Sequence, residues 1–174
     1  MADPVLDALR DGRILFEGGG SIALGGTIAD AEQAIGIDPQ RPKNRWPEKP
    51  DLWGESWKLT RGFLWFKKGR HDGELVFHGD SLVRVEGPDD AWTDEGAPWS
   101  PEMFAHDVKQ FDGAFDRLVA RLGAPSDRLP GDDMIKLAVW RFPKSALTLR
   151  WESRSPSLLV SVDRGGPPAF VFKR

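Results

Sequence analysis

The 174-residue sequence predicts a single α+β domain spanning 1–174. Its expected core is an antiparallel sheet built from two helix–β-meander repeats, with the helices packed on one face. Three observations carry this expectation. Strand-like runs with period-2 alternation follow each of two helical stretches. The segments "AEQAIGIDPQR" (Ala31–Arg41) and "LVARLGAPSDR" (Leu118–Arg128) share one order: helix end, glycine, proline, arginine. Each unit of helix and roughly three strands has one apolar stripe and one apolar sheet face, so each helix can cover its own sheet. The halves fall at 20–87 and 100–163, joined by an acidic loop at 88–99.

Taken in order, Val5, Leu6 and Leu9 predict one or two helical turns before the Asp11-Gly12 turn. "RILFE" (Arg13–Glu17) reads as a short strand stopped by Gly18, Gly19 and Gly20, and "SIALGG" as a strand or a loop. Thr27 suits an N-cap, with Asp30 completing a capping box. Ile28, Ala31 and Ile35 mark one helical face, and Gly36 with Pro39 closes a helix over about Ile28–Ile35. Residues 37–55 form a long connection with four prolines. "SWKLTRGFLWF" (Ser56–Phe66) is β-like, and "ELVFH" and "LVRVE" predict a hairpin around Gly79-Asp80.

Ser100-Pro101-Glu102 combines a hydroxyl cap, a proline at the first helical position and an acid in the first turn. Phe104, Val108, Phe111, Phe115, Leu118, Val119 and Leu122 then form the apolar stripe of one helix, closed by Gly123 and Pro125. "MIKLAVWRF" (Met134–Phe142), "ALTLRWE" (Ala146–Glu152) and "LLVSVD" (Leu158–Asp163) follow as strands. In the second of these Leu147, Leu149 and Trp151 point inward and Thr148, Arg150 and Glu152 outward. "AFVFK" is expected as a short edge strand.

The chain has no cysteine, which removes disulfides, thiolate metal sites and a cysteine nucleophile. No apolar run approaches the ~20 residues of a membrane span. The first sixteen residues carry acids where a secretory signal carries bases. The expectation is a cytoplasmic, soluble protein with no membrane partner. Charge is polarised along the sequence: Arg41–Arg70 holds nine Lys/Arg against three Asp/Glu, whereas Val85–Val108 holds seven acids and no Lys or Arg. The two segments neutralise each other across the fold, are simply solvated, or leave an acidic face that steers a basic partner. No dominant basic footprint supports direct nucleic-acid binding.

Catalytic patterns are thin. His71 and His78 stand about 23 Å apart if the chain between them is extended. They read as turn histidines, and His106 reads as a surface residue. "GESW" around Ser56 lacks the second glycine of a nucleophile elbow. "EGGGSIALGG" matches neither the dinucleotide fingerprint nor a P-loop. The neighbours Asp89-Asp90 and Asp132-Asp133 point to different sides and make no matched acid/base pair. No catalytic residue, metal ligand or cofactor is expected.

The tryptophans divide more usefully. Trp57, Trp65, Trp140 and Trp151 lie in strands and are expected in the core. Trp46, Trp53, Trp92 and Trp99 lie in connections. Trp99 precedes the Ser100 cap, where a hydrophobic staple packs. Trp92, flanked by Asp89, Asp90, Asp94 and Glu95, has the make-up of a binding anchor within an acidic rim. Those five residues, together with Trp53, form the candidate partner-binding set.

The stretch "SIALGGTIADAEQAIGIDP" resembles the strand–helix entry of bacterial domains similar to β-lactamase inhibitor protein, in which a helix–meander unit is often doubled. "FDRLVARLGAPSDR" followed by "AVWRFPKSALTLRWES" and "LLVSVD" repeats the pattern. The overall style also resembles the small cytoplasmic immunity proteins encoded beside polymorphic or contact-dependent toxins. The chain departs from the pattern in its short first helix and its nineteen-residue proline-rich insert. The resemblance implies a cofactor-free α+β binder that presents acidic, aromatic surface to a toxin active site. The function expected is therefore a protein-binding inhibitor of a cognate toxin or effector. The alternatives are a small-ligand-binding or hydrolytic domain, or an effector chaperone or adaptor.

Overall fold

A computed structural model describes residues 3–16, 20–36, 44–45, 55–58, 74–88, 101–129, 135–152 and 157–164. Among them are three helices, α1 (Pro4–Arg10), α2 (Ile28–Ile35) and α3 (Pro101–Leu122). The first strands are β1 (Arg13–Leu15), β2 (Ser21–Ala23), β3 (Asn44–Arg45), β4 (Glu55–Lys58), β5 (Glu74–His78) and β6 (Ser81–Pro88). After α3 come β7 (Asp127–Leu129), β8 (Ile135–Arg141), β9 (Ala146–Glu152) and β10 (Ser157–Asp163).

Local chemistry sets the helix ends. Asp3 caps α1 by accepting the Val5 N–H at 2.9 Å, and Pro4 follows at the start of the helix. In α2 the Thr27 side chain accepts the Asp30 N–H while the Asp30 carboxylate accepts the Thr27 N–H, the reciprocal pair predicted from sequence. Gly36 ends α2 with φ 73° and Gly123 follows α3 with φ 85°, the left-handed backbone that glycine adopts without a Cβ clash. The Trp140 indole N–H donates to the Gly123 carbonyl at 2.8 Å, satisfying an acceptor just beyond the end of α3.

Strands β3 to β10 form one antiparallel sheet of eight in the order β3-β4-β5-β6-β10-β9-β8-β7. Two four-stranded meanders thus meet where β6 pairs with β10, with Val85 opposite Val162 and Gly87 opposite Val160. One face carries the core. Leu75, Val85, Val162, Leu147 and Trp140 stand opposite one another in a row across five strands. Against this face pack Val5 and Leu9 of α1, Ala31 and Ile35 of α2, and Phe111, Ala114 and Leu118 of α3. Of the three described helices, α3 lies across β8, β9 and β10, while α1 and α2 pack on β1 and β2 and join the same core. Each fully buried large side chain contributes roughly 1.5–3 kcal/mol.

Residues 3–16 and 20–36 dock through polar contacts as well as apolar ones. β1 and β2 form a separate two-stranded sheet. The backbone of Gly25 and Gly26 exchanges hydrogen bonds with Leu82 at 2.7 and 2.8 Å. The buried Ser145 hydroxyl donates to the Leu9 carbonyl at 2.6 Å. Arg121 on α3 grips Asp3 with two bonds, at 2.6 and 3.0 Å.

Two strands go beyond the sequence expectation. β3 and β7 give each meander four strands rather than about three. β7 consists of Asp127, Arg128 and Leu129, all exposed, with no apolar alternation to announce it. It forms because β8 offers it an edge, with Arg128 opposite Ala138. Only the start of the expected Ser56–Phe66 strand is described, as β4. The rest of that strand, "AFVFK" and the Trp99-Ser100 staple and cap lie outside the described residues.

Candidate functional site

The antiparallel register fixes where each connection leaves the sheet. β4 ends at Lys58 beside Glu74, the start of β5, and Glu74 stands opposite Glu86. β6 ends at Pro88 opposite Leu159 near the start of β10. β9 ends at Glu152 opposite both Ser157 and Ile135. Connections 59–73, 89–100, 130–134 and 153–156 therefore all leave from one end of the sheet. The other end holds the β5–β6 turn, where Gly25, Gly26 and Ile28 bond Leu82 and Asp80, and the β8–β9 turn, where Ser145 bonds Leu9.

The acidic candidates Asp89, Asp90, Trp92, Asp94 and Glu95 lie outside the described residues, as does Trp53. Their attachment points are nonetheless fixed by the flanking elements. The segment 89–100 joins β6, one of the two central strands, to α3. The segment 46–54, which carries Trp53, joins β3 to β4 through Arg45 and Glu55, which pair with each other. That is the opposite end of β4 from Lys58. The topology thus attaches the five acidic-loop candidates at one end and Trp53 at the other.

α3, which receives the acidic segment, is held firmly along its middle and C-terminal half. Phe111 is buried and stacks on Phe115 at 6.3 Å, and Phe115 lies 6.0 Å from the Trp140 ring. The Arg128 guanidinium covers Phe115 at 4.3 Å, and Lys136 lies 5.5 Å from Phe111 and 3.3 Å from the Asp112 carboxylate. Phe111, the eleventh residue of α3, thus sits beside Lys136, the second residue of β8. The turns before it carry exposed Glu102, Ala105 and His106.

Of the other candidates, Trp140 and Trp151 are buried at 2% and 1% exposure, as expected of strand tryptophans. Ser56 lies inside β4, paired with Asn44 and Val76, which is not the strand-turn-helix setting of a nucleophile elbow. His78 is exposed at the β5–β6 turn. His106 is exposed on α3, with the Gln110 amide nitrogen 3.2 Å from its Nδ1. His71, Asp132 and Asp133 lie outside the described residues. Among the described residues no group of three His, Cys, Asp or Glu side chains could hold a metal ion.

The sheet face opposite the helices holds a feature that motif reasoning missed. Arg84 and Glu86 of β6, Ser161 and Asp163 of β10, and Thr148 and Arg150 of β9 occupy its centre, all partly buried. Register puts Glu86 opposite Ser161, Ser161 opposite Thr148, and Asp163 opposite Arg84. Arg84 Nε lies 3.1 Å from Glu86 Oε2, at ion-pair distance, although the N–H is not aligned as a hydrogen bond. Beside them Leu137, Val139 and Ala146 form a small second apolar cluster. The signal was present as polar residues alternating with core residues in "LVRVE", "LTLRW" and "LVSVD". It needed the strand register to become one patch.

Among the described residues these features define an α+β protein with a doubled antiparallel meander, helices on one sheet face and a mixed-charge opposite face. No family model matches the sequence, and no curated protein is similar to it. The fold is similar to the crystal structure of a DUF4309 family protein, YjgB, from Bacillus subtilis, with a TM-score of 0.51 and 12% identity. The match covers 92% of this chain and 93% of that one. At that identity the likeness concerns the fold alone.

Proposed function

We propose that the chain is a protein-binding inhibitor: an immunity protein that acts in the cytoplasm and neutralises a cognate bacterial toxin by occluding its active site. One observation carries this reading. The run Val85–Val108 holds seven acids and no Lys or Arg, and it places Trp92 among Asp89, Asp90, Asp94 and Glu95. The apolar alternation of β6 and the apolar stripe of α3 are both written in the sequence without Trp92. A basic cleft on the toxin is the complementary surface. Long-range charge raises the association rate, and a desolvated aromatic anchor slows dissociation. No cofactor enters the mechanism, and neither a membrane nor nucleic acid contacts the chain directly.

Co-expression with the products of adjacent genes tests this reading. The expected result is rescue from one toxic neighbour, together with a complex that co-purifies. A set of neighbours among which none is toxic, and none binds, would overturn it.

A second reading is favoured by one feature of the topology. The β4–β5 connection carries Arg61, Lys67, Lys68 and Arg70 and leaves the sheet at the same end as the acidic segment. In this reading the two segments neutralise each other and serve stability rather than recognition. Loss of stability without loss of binding, on removing the acids, distinguishes it from the first.

A further inference from the structure

We draw no further inference here: the strongest candidate, the helix-free face of the eight-stranded sheet around Arg84, Glu86, Thr148, Arg150, Ser161 and Asp163, mixes acids with bases and holds an internal Arg84–Glu86 ion pair, and nothing in the structure shows what covers it.

Discussion

The Asp80 carboxylate, in the turn between β5 and β6, accepts a hydrogen bond from the backbone N–H of Ile28, 2.9 Å away and 52 residues earlier in the sequence. Ile28 is the first residue of α2, so a side chain from the sheet caps a helix from the N-terminal region. With the Thr27–Asp30 pair, this satisfies donors that an α-helix leaves open at its start.

Replacing Asp80 with alanine is expected to cost about 1 kcal/mol, the usual loss for a cap. Urea unfolding measures it. The β5–β6 turn itself tolerates the change, because Gly79 (φ 60°) supplies the left-handed residue. A midpoint equal to that of the unaltered chain would show that the Asp80 contact carries no weight.

The Asp3–Arg121 pair makes stability depend on pH in a defined sense. The Arg121 guanidinium, bonded to the Asp3 side chain, holds the carboxyl down to about 2 from an ordinary 3.8. A carboxylate with a depressed folded pKa stabilises fully above its unfolded pKa, and that contribution disappears as pH falls from about 4 toward 2. Arg121→Met is therefore expected to lose about 1–2 kcal/mol at neutral pH, discounted for solvent screening. The difference from the unaltered chain should narrow steadily below pH 4. A gap that stays constant to pH 2 would mean that packing, not charge, links α1 to α3.

Gly25 sits at φ 88°, and a Cβ there would meet the Arg164 guanidinium, which bonds the Ser81 hydroxyl at 2.9 Å. Gly25→Ala is expected to destabilise by about 1–3 kcal/mol, from backbone strain and steric conflict together. Adding Arg164→Ala should recover part of the loss and leave the backbone part. A double variant no better than Gly25→Ala alone would assign the whole effect to the backbone.

Trp140→Phe removes the indole donor to the Gly123 carbonyl and part of the contact with Phe115. The expected cost is about 1–3 kcal/mol, read from thermal or denaturant unfolding. Amide exchange should quicken in the last turn of α3 before it quickens in β9. Uniform quickening would place the defect in the sheet instead.

Much of the fold could be read from the sequence, and the reasons are local. α2 spans Ile28–Ile35 as expected because Thr27, Asp30 and Gly36 mark both ends chemically. α3 spans Pro101–Leu122 because its stripe runs unbroken from a proline start to a glycine stop. β9 matches the expected Ala146–Glu152 because alternation is clean there. β7 was not legible, since Asp127, Arg128 and Leu129 owe their conformation to β8 rather than to their own pattern. The polar patch around Arg84 was half legible. Each strand showed its outward residues, but only the β6–β10–β9 register brings them together. The acidic stretch was legible as composition, and the register adds that it and the basic 59–73 connection leave the sheet at the same end while the Trp53 connection leaves at the other. Trp53→Ala is accordingly a separate test of whether that residue shares the interface: an unchanged affinity would remove it from the partner-binding set.

The most direct test of the proposed function combines Asp89→Ala, Asp90→Ala and Trp92→Ala in one variant and measures two quantities: affinity for the partner that co-purifies, and the midpoint of urea unfolding. With Trp92 as the proposed anchor and the acids as its rim, the account predicts a fall in affinity of at least about 30-fold, the scale of a single interface hot spot. The unfolding midpoint should not move. Unchanged affinity, or a lowered midpoint with binding intact, contradicts the account and assigns the acidic loop to the protein's own stability.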